Sequence, residues 1–243
     1  MDYKLKYLKY KQKYIGLKNQ FGGNYLFWNA IRDNNYKKVK EIILNDSKIL
    51  TTKYFDSETP LMYAVVNGSI DIVILLLVIA IRGNLDNLFS LNICEAKMVL
   101  LKSKGTKIKD IDLKNSNGLT ALIIASIYGH EQIIRLLLDG GADINAKDND
   151  GYTSLLYATI KGNEQIVKLL LENKADINAK DNDFNTSLML ASYFCKTNVV
   201  KLLLENNPDI NTENKSNDTA LKIAIHQKCD DVAKLISEYK NKI

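Results

Sequence analysis

The sequence predicts an all-α solenoid of stacked helix-turn-helix units joined by short β-hairpin turns. Three observations carry that expectation. Thr120, Thr153, Thr186 and Thr219 recur every 33 residues, and Ala125, Ala158, Ala191 and Ala224 keep the same interval. So do the triplets Leu136-Leu137-Leu138, Leu169-Leu170-Leu171 and Leu202-Leu203-Leu204, and the Asp-Ile-Asn tripeptides beginning at Asp143, Asp176 and Asp209. Inside each unit the apolar residues fall at helical spacing, and between units lie polar segments rich in turn formers. A fixed period of this length marks a repeat architecture, in which no unit buries its own apolar face and stacking supplies the core.

Composition agrees and narrows the functional classes. Of 243 residues, 46% are hydrophobic and 25% charged, the balance of a folded globular chain, and 12 Gly with 2 Pro exclude collagen-like or linker sequences. Abundant Lys, Asn, Ile and Tyr all have A/T-rich codons, so this bias reads as genomic. The net charge of +5 sits entirely in residues 1–24, which carry six Lys and one Asp. Any basic partner preference therefore belongs to that segment. Cys94, Cys195 and Cys229 are far apart and in no CxxC arrangement, which predicts reduced thiols in a reducing compartment. Lys and Tyr interrupt every apolar stretch before residue 25, so no secretory signal is expected. The Arg-poor start also argues against a transit peptide, and the apolar run Ile72–Ile81 is too short to span a bilayer. These readings place the chain inside the cell.

Taken in order, residues 1–24 form a separate module. Tyr3, Tyr7, Tyr10, Tyr14, Leu17 and Phe21 follow 4-3-4-3-4 spacing. On a helix they share an arc of about 80°. Lys6, Lys9 and Lys13 flank one edge, Lys4, Lys11 and Lys18 the other, and Gly22-Gly23 end the helix. Such a stripe suits docking on a protein, an anionic membrane or nucleic acid. Residues 25–54 read as a degenerate N-terminal capping repeat, and 55–80 as a full repeat containing Thr59-Pro60-Leu61 and Leu75-Leu76-Leu77. Thr59 and Thr120 are 61 residues apart, 28 more than one period, so 81–114 is either a degenerate repeat or an elongated helix with an insertion. Repeats then span 115–147, 148–180 and 181–213. Residues 214–243 form a C-terminal capping repeat whose second helix is studded with Lys and Glu, as a solvent-facing cap requires.

The unit from Asp148, DNDGYTSLLYATIKGNEQIVKLLLENKADINAK, shows the construction. Thr153 opens a first helix as its N-cap. Leu155 and Ala158 face a neighbour, the small Ala permitting close approach. Ile166, Val167, Leu169, Leu170 and Leu171 give the second helix an apolar face wide enough for burial on both sides. This unit resembles the ankyrin repeat, with its D-x-x-G-x-T-P-L-H-x-A, L-L-L and G-A-D-x-N elements. There are departures. Met62, Ile123, Leu156, Met189 and Lys222 replace the family's first-helix His. The hairpin-tip Gly118 and Gly151 become Phe184 and Asn217, and the Gly141 after the second helix becomes Lys174 and Asn207. If the tip position needs a positive φ, Phe184 is strained and the C-terminal repeats are the looser ones.

No phosphate-cradling, zincin or nucleophile-elbow motif occurs, and only His130 and His226 are present. We expect no catalytic residue, no cofactor and no metal. Asn-x-Ser/Thr triplets at Asn45, Asn67, Asn185, Asn214 and Asn217 read as chance matches in an Asn-rich chain. The resemblance implies instead a monomeric, non-enzymatic protein-binding scaffold that uses hairpin tips and exposed first-helix ends. Carried over, the candidate contacts are Leu119, Ile127 and Tyr128; Tyr152, Ile160 and Lys161; and Tyr193 and Phe194, with tip residues Ser116, Asn117, Asn149, Asp150, Asn182, Asp183 and Asn185 beside them. Ordinary packing between helices is the alternative for the aromatic members. The N-terminal segment resembles a signature, KYLKYKxKYxxLKxxxGG, that prefaces proteins of mimivirus-like giant DNA viruses. That likeness implies a viral protein in host cytoplasm, virus factory or virion. Two rivals stand beside the scaffold: a nucleic-acid or membrane protein using residues 1–24, and an adaptor presenting a client to another enzyme. The last repeat leaves no visible room for an F-box-like segment, which weighs against the adaptor.

Overall fold

The computed structural model describes residues 25–53, 57–82, 96, 99, 102 and 107–241. The expected helix at 1–24, with Tyr3, Tyr7, Tyr10, Tyr14, Leu17 and Phe21, lies outside the described residues, and so does Cys94.

Among the described residues, twelve α-helices follow one another in pairs: α1 (Tyr25–Arg32) and α2 (Tyr36–Asn45); α3 (Pro60–Val66) and α4 (Ile70–Arg82); α5 (Ala121–Tyr128) and α6 (Glu131–Asp139); α7 (Ser154–Lys161) and α8 (Glu164–Glu172); α9 (Ser187–Tyr193) and α10 (Thr197–Glu205); α11 (Ala220–His226) and α12 (Asp230–Lys240). A short 3-10 turn, Ser47–Thr51, follows α2. Thr59, Thr120, Thr153, Thr186 and Thr219 each cap a first helix, the hydroxyl accepting from the backbone N–H three residues on. Each such cap stabilises its helix by about 1 kcal/mol.

First helices form one row, with α1 against α3, α3 against α5, α5 against α7, α7 against α9 and α9 against α11. Second helices form the other row, with α2 on α4, α4 on α6, α8 on α10 and α10 on α12. A continuous core runs between the rows, including Phe27, Met62, Leu75, Ile123, Ile134, Leu155, Val167, Val200, Ala224 and Ile236. Although Thr59 and Thr120 are 61 residues apart, α3 touches α5 and α4 touches α6 directly, so no described helix pair stands between them. At 13 residues, α4 is longer than its counterparts α6, α8 and α10, each of 9.

The hairpins are tight turns, and among the described residues none extends into a β-strand. Two backbone bonds close each turn: Asn115 N–H to Leu119, Asp148 to Tyr152, Asp181 to Asn185, and Asn214 to Asp218, with the N–H groups of Gly118, Gly151, Phe184 and Asn217 donating back to Asn115, Asp148, Asp181 and Asn214. The opening side chain then accepts from two further backbone N–H groups, as Asp148 Oδ1 does from Asp150 and Tyr152. Successive tips are tied together. The N–H groups of Asn149, Asn182 and Lys215 donate to the carbonyls of Asn117, Asp150 and Asp183 at 3.0–3.1 Å. Asn149 Nδ2 donates to Ser116 and Asn182 Nδ2 to Asn149. Lower on the hairpins, the side chains of Asp112, Asn145 and Asn178 accept from the N–H groups of Asp143, Asp176 and Asp209. Asparagine, read from the sequence as codon bias, supplies much of the polar bonding between repeats.

Left-handed residues recur in three registers. They are Gly118, Gly151, Phe184 and Asn217 at the tips; Gly129, Gly162, Cys195 and Lys228 after first helices; and Gly141, Lys174 and Asn207 after second helices. Phe184 has φ +65°, so the tip keeps the left-handed conformation without a glycine.

The next residue of each following repeat sits on the left-handed residue after a first helix. Asn163 lies over Gly129, and Lys196 over Gly162. The same 34-residue offset sets Cys229 on Cys195, and the two are joined in a disulfide with Cα atoms 5.5 Å apart. The expectation of three reduced thiols therefore fails for Cys195 and Cys229. Spacing along the chain concealed a contact that the repeat register creates.

Candidate partner-binding surface

Stacking consumes most of each first helix, and what remains at its ends and at the tips is the available surface. The predicted contacts divide sharply. Leu119, Ile127 and Tyr152 are buried, at 2%, 8% and 6% exposure, and offer little to a partner in this arrangement. Ile160, Lys161, Tyr128 and Phe194 are half-buried, and Tyr193 is exposed. Burial of Tyr152 has a local cause. Its ring packs 5.2 Å from that of Tyr157, in a small apolar cluster with Leu156, Leu190 and Ile160. Tyr157 Oη donates to Asp148 Oδ2 at 2.7 Å. Burial raises the Asp148 carboxyl above its ordinary range, while bonds from Tyr157, Tyr152 and Asp150 pull it back. The aromatic residues of this repeat thus brace a hairpin.

The repeats nearer the C-terminus leave more surface open. Tyr193 and Phe194 meet edge to face at 5.0 Å, at the end of α9. A groove of about 380 Å³ runs between α9 and α11. Met189, Leu190 and Tyr193 form one wall; Ile223, His226 and Gln227 form the other; Asp183, Asn185, Asn214, Lys215 and Asp218 close its tip end. Phe184, half exposed, stands at that tip with Lys215 Nζ 5.4 Å from its ring centre. Phe184 was legible in the sequence as a misfit but not as surface. The signal was present, since a large apolar residue at a turn tip has no core within reach.

His130 opens α6 without a capping bond and packs against Gly68 of the preceding helix pair. Burial depresses its pKa, opposed by a hydrogen bond with the Val66 backbone. The ring is a packing element between repeats. Among the described residues no group of three or more His, Cys, Asp or Glu is placed to hold a metal ion. Among them, also, no helix is long and apolar enough to cross a membrane.

Paired helices in two rows, with linked hairpin tips along one edge, define a helical-repeat solenoid. Family models agree on its kind. "Ankyrin repeat" matches residues 56–87, "Ankyrin repeats (3 copies)" matches 78–181, and "Ankyrin repeats (many copies)" matches 160–204, an unbroken span of 56–204. The chain belongs to the ankyrin-repeat family. No catalytic family is indicated. No curated protein gives a significant match to the chain.

Proposed function

We propose that this chain is a non-enzymatic scaffold that binds a protein partner along the inner face and tips of its last repeats. Ankyrin repeats suggest protein–protein interaction in general. The observation that carries the specific reading is the open groove between α9 and α11, lined by Tyr193, whose ring meets that of Phe194, with the half-exposed Phe184 between Asp183 and Asn185 at its tip end. Aromatic side chains that remain accessible around a concavity are the usual anchors of protein interfaces. Replacing Tyr193 and Phe194 by Ser, with Phe184→Ser as a third change, should leave the helical content intact. Partner recovery from infected host cells should fall at least tenfold if two of the three are anchors, since a hot spot contributes about 2 kcal/mol or more. Undiminished recovery by the folded triple variant would refute the reading. The N-terminal signature's likeness to giant-virus proteins supports a viral scaffold acting within the infected cell on host or viral proteins.

A second reading is favoured by the six Lys and aromatic stripe of residues 1–24: docking of that segment on nucleic acid or an anionic membrane. Protein docking suits it better. Six aromatic and apolar residues exceed what phosphate contacts need, and Lys without Arg lacks bidentate phosphate recognition. Tyr3, Tyr7, Tyr10 and Tyr14 replaced by Ser should then disturb recovery or localisation more than four Lys replaced by Gln. A steep salt dependence of DNA, RNA or anionic-vesicle binding, with the reverse ranking, would favour the second reading.

A further inference from the structure

The repeat register places one cysteine pair where the two preceding junctions use a non-covalent contact. Asn163 covers Gly129, Lys196 covers Gly162, and Cys229 covers Cys195. The stack therefore forms at two equivalent positions without a covalent bond, and the disulfide is an addition to the fold rather than its foundation. The two partners also differ in access. Cys229 is buried, at 6% exposure, with Sγ 3.4 Å from the Ser192 carbonyl, whereas Cys195 is exposed at the turn after α9. A small thiol arriving from solvent meets Cys195 first. The bond joins the C-terminal cap, α11 and α12, to α9 and α10, and closes a segment whose ends are 34 residues apart.

We propose that Cys195 and Cys229 form a reversible modification site, opened and closed by exchange with low-molecular-weight thiols and disulfides, that sets how firmly the C-terminal repeat is held. Closing begins when the Cys195 thiolate attacks a sulfur of a small disulfide such as oxidised glutathione, breaking that S–S bond and releasing one glutathione thiolate. The Cys229 thiolate then attacks Cys195 Sγ in the mixed disulfide and expels the second glutathione. Two thiol protons leave Cys195 and Cys229, and two electrons reduce glutathione disulfide to two thiols. Opening is the reverse, with reduced glutathione attacking the accessible Cys195 sulfur.

The test uses the full-length protein carrying Cys94→Ser, equilibrated in buffers from reduced to oxidised glutathione, then alkylated and mapped by mass spectrometry. Oxidation should leave Cys195 and Cys229 unalkylated and their peptides linked, and reduction should return both thiols. Amide exchange in α11 and α12 should slow by about an order of magnitude or more on oxidation, because the link removes openings in which the cap leaves its neighbour. Cys195→Ser, at the exposed partner, should abolish this redox dependence while keeping the helical signal. Free thiols or a persistent glutathione adduct at Cys195 under oxidising conditions would overturn the proposal. So would identical exchange of the cap in the two states.

Discussion

At residue scale, two positions show how neighbours decide what a site tolerates. A Cβ on Gly151 would lie 2.6 Å from Asn182 Oδ1 and 2.7 Å from its backbone N, so only glycine fits beneath that asparagine. One repeat later the tip residue is Phe184, and the residue on top of it is Lys215, which removes the asparagine amide from above the tip while keeping the backbone bond to Asp183. The two departures from pattern are one adjustment. Phe184→Gly alone should be neutral or mildly stabilising, because release of a left-handed bulky residue is offset by backbone freedom and a lost cation–π contact, each on the order of 1 kcal/mol or less. Lys215→Asn alone should destabilise, and the double variant should recover stability through a coupling of roughly 0.5 kcal/mol or more. Strict additivity in a urea-denaturation cycle would disprove the adjustment. The second position is Glu58, 1% exposed, with neither carboxyl oxygen hydrogen-bonded. Burial pushes its pKa from 4.5 up to about 8. Below pH 4.5 the folded and unfolded chains both hold the proton; between there and about pH 8 only the folded chain keeps it, so stability falls as pH rises through that window and then levels off. Glu58→Gln should be nearly silent at pH 4 and stabilise by on the order of a few kcal/mol at pH 8. Equal pH slopes of melting temperature in both proteins would show that Glu58 is solvated.

Among the elements, the threonine-capped first helices were the most legible. Thr, Leu and Ala keep register over every complete repeat, and a hydroxyl at the N-cap has one dominant use. Thr153→Ala should therefore lower stability by about 1 kcal/mol, with helical content almost unchanged, as measured by chemical denaturation. The hairpins were legible as turns, since Asp-Asn-Asp-Gly needs a tight reversal, but their cross-repeat bonds were not. Those depend on which residue of the next unit lands opposite, and a period reports similarity rather than contact. The excess between Thr59 and Thr120 was legible as a length, and only the contacts of α3 with α5 show how stacking continues past it. Beyond residue 173, left-handed positions are held by Lys174, Phe184, Cys195, Asn207, Asn217 and Lys228, with no glycine among them. Each non-glycine residue there costs up to about 1–2 kcal/mol. Under reducing conditions, α9 to α12 should exchange their amides faster than α5 to α8. Greater protection of the C-terminal repeats would contradict this.

For the whole molecule, the family and the stacking of its helix pairs follow from the sequence, whereas the usable surface does not. Tyr152 precedes its capping threonine and Tyr193 ends its first helix, and both are aromatic candidates, yet one is buried and the other exposed. The difference lies in the residues around them: Tyr157 and Leu190 fill the space over Tyr152, while α9 and α11 leave a groove beside Tyr193. Such depth is a property of three units together, and no single repeat encodes it. The link between Cys195 and Cys229 has a further, mechanical meaning. Pulled from its two ends, a solenoid behaves as a spring whose coils pay out in turn. With the link closed, the stretch between the two cysteines, which lie 34 positions apart, is bypassed and carries no load. At about 3.3–3.6 Å per extended residue, roughly 110 Å of slack stays locked in the last coil until the bond is cut. One thiol exchange would change the chain's reach by more than the length of its folded cap.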